Sequence, residues 1–400
     1  GMVREAVLAR AGDRVGSLNH RCAEILSARP GVSAGRVARH WLLAGAREAA
    51  LDPLHEAAVF ASDLGSAEAA LGWVEEREQV LRELGVPDDD PRWADGWIVR
   101  GELANLAGDT DRARAANRTA AHRSRGGRPT RHARALQLAG EVEHRFGNAP
   151  DAVEWYTRAA EVARDADPVT RCGIELSRIR LDIELGADLG EVRRRLAALG
   201  DEVGADRSLV LATTSRVALD QRDLDTAWAC AEAALEGFRA EHRTEGVGAA
   251  HTMLAEVARF RGRHDLARER YHDARSLFER LGSQLNVGIT DVNLAMLARD
   301  RGDPVEARAR VEAVLAVDPL PAQVAALAHA IAMHLTAVDP DPRAFLSHVA
   351  ASRARFDEFR RLLPDIAESA HLAAEAARRA GYAERVEPAL SIARLHTPGT

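Results

Sequence analysis

The sequence predicts an all-α fold, a solenoid of antiparallel helix pairs that repeats about every 39 residues. Three observations predict it. Aromatic residues make up 4% of the chain and hydrophobic residues 46%, so alanine, leucine and valine do the packing, which favours close helix–helix contact. A glycine-marked turn returns at a steady step, with small residues at fixed offsets on either side. No alternating β-branched run bounded by turn residues interrupts the pattern.

The turn is "AGDTDRA" at 107, with altered copies "FGNAPDA" at 146, "QRDLDTA" at 221, "RGRHDLA" at 261, "RGDPVEA" at 301 and "AGYAERV" at 380. Its anchors are Gly108, Gly147, Gly262, Gly302 and Gly381, with Arg222 in the glycine's place and Gly186 marking one more copy. The steps from 108 through 147, 186, 222 and 262 to 302 are 39, 39, 36, 40 and 40, and the 79 from 302 to 381 holds a degenerate copy near "VDPDPRAF".

Each period reads as two helices. The anchor ends the first in the left-handed conformation that glycine adopts without strain, and Asp, Asn or Pro just after it caps or opens the second. Five residues past the anchor stand Ala113, Ala152, Ala227, Ala267 and Ala307, whose methyls let the two helices approach closely. Seven before it stand Gly101, Gly140, Ser215, Ala255, Ala295 and Ala374. Gly101 follows Trp97 by four, so one helix face alternates a bulky plug with a notch, at the cost of about 1 kcal/mol of helix propensity.

These positions resemble the tetratricopeptide repeat, whose pattern is bulky, small, turn glycine, small, aromatic, small. Residues 97 to 120 carry Trp97, Gly101, Gly108, Ala113 and Ala120; residues 136 to 159 carry Leu136, Gly140, Gly147, Ala152, Tyr156 and Ala159. The best copy, 251 to 274, has Leu254, Ala255, Gly262, Ala267, Tyr271 and Ala274, and Asp318-Pro319 matches the closing Asp-Pro. The departures are a period above the family's 34, Asn117 in place of the second-helix aromatic, and a poor fit around Gly186. The resemblance implies a right-handed superhelical solenoid over residues 91–396.

Residues 2–90 form a separate N-terminal helical segment of irregular helix pairs. Val3 to Val7 ("VREAV"), His20, Ala38-Arg39-His40-Trp41 and Ala44-Gly45 resemble the segment that follows the winged helix of large bacterial signal-transduction ATPases, including LuxR-type regulators. No nucleotide-binding motif accompanies it, so the chain reads as a fragment of such a regulator, with Gly1 before Met2 a scar of tag removal.

Several chemistries are excluded. With no lysine, all 54 basic residues are arginine, which rules out a Walker-A loop and Schiff-base catalysis. HExxH, CxxC, GxSxG and a strand-borne GxGxxG are missing. Cys22, Cys172 and Cys230 fit neither a disulfide framework nor a zinc site and suit a reducing cytoplasm. Asp88-Asp89-Asp90 reads as a helix-initiating loop, and His329 and His334, five apart, as core and surface histidines. No cofactor and no metal is expected. Neither a signal peptide nor a membrane span is visible, and a net charge of −7 argues against direct nucleic-acid binding. Arg112, Arg114, Arg118, Arg123, Arg125, Arg128, Arg131 and Arg134 form an acid-free run that could grip phosphate but reads better as a solvated face and loop.

In the family that the repeats resemble, first helices line a concave groove. Six before each anchor lie Glu102, Glu141, Arg216, Glu256, Met296 and Glu375; three before lie Asn105, His144, Leu219, Arg259, Arg299 and Arg378. Such a groove suits an extended peptide or a charged partner helix, with Arg259 and Arg299 facing the same ligand as ordinary surface groups. The bland alternative is that Glu256–Arg259 and Glu375–Arg378 are i,i+3 pairs. The expected function is a non-catalytic protein- or peptide-binding scaffold or sensor of a cytoplasmic bacterial regulator. The alternatives are a structural spacer or oligomerisation module, or a small-molecule or enzymatic site in the groove using Glu141, His144 or Glu256.

Overall fold

The computed structural model describes residues 14–29, 31–145, 149–202, 206–317, 320, 322–359 and 364–396. Among these there are twenty α-helices and no strand. They run as α1 (Arg14–Ser27), α2 (Ala34–Leu43), α3 (Arg47–Asp63), α4 (Ala67–Glu83), α5 (Ala94–Leu106), α6 (Thr110–Arg123), α7 (Pro129–Arg145), α8 (Ala149–Val162), α9 (Pro168–Glu184) and α10 (Leu189–Asp201). Then follow α11 (Arg207–Asp220), α12 (Leu224–Ala240), α13 (Thr244–Phe260), α14 (His264–Arg280), α15 (Gln284–Asp300), α16 (Pro304–Leu315), α17 (Ala322–Thr336), α18 (Pro342–Phe359), α19 (Pro364–Ala380) and α20 (Ala383–Leu395). The fold is the right-handed superhelical solenoid of antiparallel pairs that the repeats predict.

The turn chemistry is as expected. Gly108, Gly186, Gly262, Gly302 and Gly381 all have positive φ. At Gly108 the amide donates to the Asn105 carbonyl (3.2 Å) and the Asp109 amide to that of Ala104 (3.0 Å), the double bond that closes a helix on a left-handed residue. Arg222 makes the same pair of bonds at φ 60 despite its side chain. Asp109, Asp188, Asp223 and Asp303 then cap the second helices, each accepting a backbone N–H within its first turn. Gly147 and Asp318-Pro319 lie outside the described residues, as do Val3 to Val7. The other positions of that N-terminal motif meet: the His20 ring stands edge-on to Trp41 at 4.9 Å, and His40 Nδ1 lies 2.8 Å from Asn19 Oδ1.

The long period comes from longer helices. Helices α12 to α15 each span 17 residues, and left-handed residues recur at 222, 242, 262, 282 and 302. Helix plus turn thus occupies twenty residues, against 17 for half of a 34-residue repeat. The same spacing joins Gly45, Gly65 and Gly85 around α3 and α4.

Ala113, Ala152, Ala227, Ala267 and Ala307 are all fully buried. The notch pairs with a specific second-helix residue. A Cβ on Gly140 would stand 2.6 Å from the Tyr156 ring, and one on Gly101 would stand 1.8 Å from Asn117 Oδ1. The degenerate copy has a different solution. No left-handed residue closes α17 among the described residues, and its end is capped from a distance by fully buried Arg385. That guanidinium donates to the carbonyls of Ala337 (2.9 Å) and Asp339 (2.7 Å) and stacks on Tyr382.

The superhelix closes on itself. A Cβ on Gly65, in the α3–α4 turn, would lie 2.6 Å from the Arg280 carbonyl oxygen and 2.8 Å from Leu281 Cα, so this turn packs against the α14–α15 turn over two hundred residues later. The superhelix has come round on itself over that interval, and its inner face is called the lumen below.

A polar lumen as the candidate binding site

Successive first helices are stitched across the lumen wall. Glu102 (α5) accepts from Arg134 (α7) at 2.8 Å. Gln137 and Glu141 (α7) meet Ser177 (α9) at 3.0 and 3.2 Å. His144 Nε2 lies 2.8 Å from a Glu184 carboxylate oxygen. Arg216 (α11) reaches Glu256 (α13) at 3.5 Å, and Arg259 (α13) donates to Asp300 (α15) at 2.7 Å. The bonds skip about forty residues because equivalent positions of adjacent repeats face each other.

These groups sit deep in the molecule and still touch water. The Arg216 side chain is 46% exposed, yet loss of solvent is the largest single influence on its ionisation; Glu256, Asp220 and Asp365 outweigh it and raise the pKa. Glu141 shows the balance in reverse, with burial pushing its pKa up and Arg134, Arg180 and Arg145 bringing it down overall. Burial wins at Glu256, which is raised despite Arg216. Asp63, at the end of α3, is pushed up to about 6 by burial and by Glu102, with Arg243 and Glu245 of the next superhelical turn also in reach.

The twelve positions six and three before the anchors divide. Glu102, Glu141, His144, Arg216 and Glu256 line the lumen through the bonds given above. Asn105 is buried, with its Oδ1 unpartnered. Met296, 2% exposed, belongs to the C-terminal core with Val324, Phe345 and Ile366 and takes no part in the lining, and Leu219 is buried likewise. Their first helices are covered by later repeats. Arg259 and Arg299 are not free surface groups: their side chains are 4% and 6% exposed and both are spent on Asp300. Arg299 also donates to Ser369 of α19 (3.1 Å), while Asp365 in the first turn of α19 acts electrostatically on Arg216, Glu256 and Arg259. The chain's own α19 therefore covers the C-terminal part of the lumen. Glu375 and Arg378 are exposed beyond it, and Glu375 pairs with Arg379 (3.5 Å). The i,i+3 alternative fails too, since Glu256 pairs with Arg216, and Arg259 with Asp300. Sequence spacing put these residues on one face but could not show which wall each would meet.

The arginine run is structural. Arg114 and Arg118 both bind buried Glu143 (3.1 Å each), Arg128 binds Asp52 (2.9 Å), Arg131 lies 3.7 Å from Asp95, and Arg123 bonds the Asp88 carbonyl. Asp90 caps the short 3-10 turn Pro91–Trp93. His329 and His334 are both half-buried on α17 rather than one core and one surface; burial drops each to about 4, and His329 Nδ1 lies 3.1 Å from His348 Nδ1. Among the described residues no helix is long and apolar enough to cross a membrane.

The comparisons agree with this architecture. A tetratricopeptide repeat model matches residues 247–319, the stretch that holds α13 to α16. No curated protein sequence matches the chain. Among solved structures, the chain is similar to a Rap protein complexed with competence and sporulation factor, with a TM-score of 0.59 at 12% identity over 86% of this chain and 96% of that one. It is similar to the human IFIT1 dimer with PPP-AAAA, at 0.50 and 13% over 96% and 94%. A signal-transduction ATPase with a tetratricopeptide repeat sensor from Pyrococcus horikoshii scores 0.48 at 13%, over 89% of this chain and 55% of that one. Identities this low show the fold alone. The chain carries a tetratricopeptide-like helical repeat domain.

Proposed function

From a tetratricopeptide-like solenoid with a polar lumen, we propose that the chain is a non-catalytic scaffold or sensor module of a cytoplasmic bacterial signalling or transcriptional regulator, and that it holds an extended or helical segment of a protein partner inside the lumen. The observation that carries this reading is the wall of α5, α7 and α9. Its polar side chains Glu102, Arg134, Gln137, Glu141, His144 and Glu184 stand together across successive first helices, which suits a ligand with alternating polar groups. The Rap solenoid was solved with competence and sporulation factor, which supports ligand recognition by this architecture.

The enzymatic alternative finds little support in the geometry. Glu141 is held by Gln137 and Ser177, His144 by Glu184, and Glu256 by Arg216, so none is presented to a substrate as an acid–base pair. A spacer role draws support from α19, which covers the C-terminal lumen.

Hydrogen-exchange mass spectrometry of the whole chain, with and without peptides selected from a random display library, tests the reading. Protection is expected on α5, α7 and α9. Protection confined to the outer helices α6, α8 and α10 would overturn it.

A further inference from the structure

Two histidines of the degenerate repeat face each other nitrogen to nitrogen. His329 of α17 and His348 of α18 hold their Nδ1 atoms 3.1 Å apart, with ring centroids at 5.3 Å and planes tilted by 39°. Nineteen residues separate them in the chain, so no spacing motif announces the pair. Both rings are half-buried and so within reach of ions in solution. Burial, the facing ring and Arg355 drop His329 to about 4, and burial with Arg308 lowers His348 likewise. Both rings are therefore neutral at neutral pH, which is the form of imidazole that ligates metals.

A hydrogen bond between the rings uses one Nδ1 lone pair, with the other ring donating. When both rings carry their proton on Nε2, two Nδ1 lone pairs are free for one ion. At the usual distance of about 2.0–2.1 Å from each nitrogen, that ion would subtend about 95–102° across the 3.1 Å gap, between the octahedral and tetrahedral ideals. Ser352 stands one turn beyond His348 on the same face of α18; it is fully buried and its Oγ has no hydrogen-bond partner. A hydroxyl so placed can hold a water ligand of the ion, the outer-shell contact that metal sites carry.

We propose that His329 and His348 form a two-imidazole site for a divalent late transition-metal ion of the zinc and copper class, bridging α17 and α18. Among the described residues no third His, Cys, Asp or Glu joins the pair, so water completes the shell and the ion exchanges with solution. The nearby charges choose the class of ion. Arg355 acts on one ring and Arg308, itself paired with Asp339 at 3.3 Å, on the other. They repel a hard ion held by charge alone and leave the advantage to ions that coordinate imidazole. The bridge falls where the array is closed least: no left-handed residue ends α17 among the described residues, and Arg385 caps it from α20. An ion across the two helices would tighten this pair, whatever the lumen binds.

The test titrates the whole chain, without a histidine tag, with Zn²⁺ against a chromophoric chelator at neutral pH. One equivalent should bind most tightly and slow hydrogen exchange in α17 and α18, while Mg²⁺ and Ca²⁺ should do neither. His329→Asn and His348→Asn should each weaken that binding by about tenfold or more and abolish the protection, since a lost ligand costs at least as much as a lost outer-shell partner. His371→Asn, at an exposed ring of α19, should change nothing. His348→Cys keeps a ligand, and with Co²⁺ it should show the absorption band of a thiolate–metal bond, which neither misfolding nor a plain hydrogen bond can produce. A missing band, zinc held as tightly by both Asn variants, or zinc that leaves exchange in α17 and α18 unaltered would each overturn the site and reduce the rings to a hydrogen-bonded pair.

Discussion

Changing Gly101 to alanine sets two well-measured effects against each other. Helix propensity favours the substitution by about 1 kcal/mol. The notch opposes it, because the new methyl would sit 1.8 Å from Asn117 Oδ1, inside any contact that real atoms make. Asn117 is fully buried and its amide donates to the Leu138 carbonyl at 3.3 Å, so it must rotate away, giving up that bond within a closed interface. Leaving a buried amide without its partner costs about 1–3 kcal/mol, and forcing extra volume into a packed contact costs roughly another 1–3 kcal/mol. The net expectation is a loss of about 1–5 kcal/mol, larger for Gly101→Leu. Asn117→Ala in the same molecule removes the obstacle and the amide together, so the double variant should return to within about 1 kcal/mol of the parent.

Repeat arrays unfold in parts, so a single global midpoint could miss the effect. Amide exchange read separately for α5, α6 and α7 resolves it. If Gly101→Ala alone slows exchange in α5, propensity has won and the notch is not filled by Asn117. If the two substitutions simply add, the residues are not in contact and the register of the repeat is misplaced.

Other consequences can be measured. Gly65→Ala should destabilise by more than Gly85→Ala: both carry positive φ, worth about 1–2 kcal/mol of strain, but only Gly65 meets another backbone, and small-angle scattering should show that variant alone expanding. Exposed His242, held at φ 57, should gain about 1 kcal/mol when replaced by glycine, read as a higher thermal midpoint. Arg385→Met should cost about 2–4 kcal/mol through the carbonyls it leaves unpaired at the end of α17, detected as faster exchange in α17 and α18. Burial drops His55 to about 4, so below its unfolded value of 6.5 the unfolded chain binds the extra proton. Its contribution should therefore be complete above pH 6.5 and fall by roughly 3 kcal/mol between pH 6.5 and 4; His55→Gln should remove that share of the slope in urea titrations and leave the shares of His329 and His334, which burial lowers likewise.

What the sequence could and could not show follows from the range of the forces involved. Gly108 and Gly302 were legible because a left-handed turn is a local backbone demand, and Ala113 to Ala307 because close approach admits only a methyl. Asn117 looked like a departure from the repeat, yet it is the side chain that fills the Gly101 notch, as Tyr156 fills that of Gly140. Arg222 and His242 adopt the same left-handed turn as the glycines, held there by the twenty-residue helix spacing on both sides. The groove was only half legible. Spacing puts Glu256, Arg259 and Arg299 on one helix face, but the wall each faces depends on curvature, the sum of small rotations over many repeats. That sum brings Gly65 against Arg280 and carries Asp365 to Arg216. The side chains that curvature brings together, Glu256 with Arg216 and Arg259 with Asp300, are therefore the pairs that spacing within one repeat could not reveal.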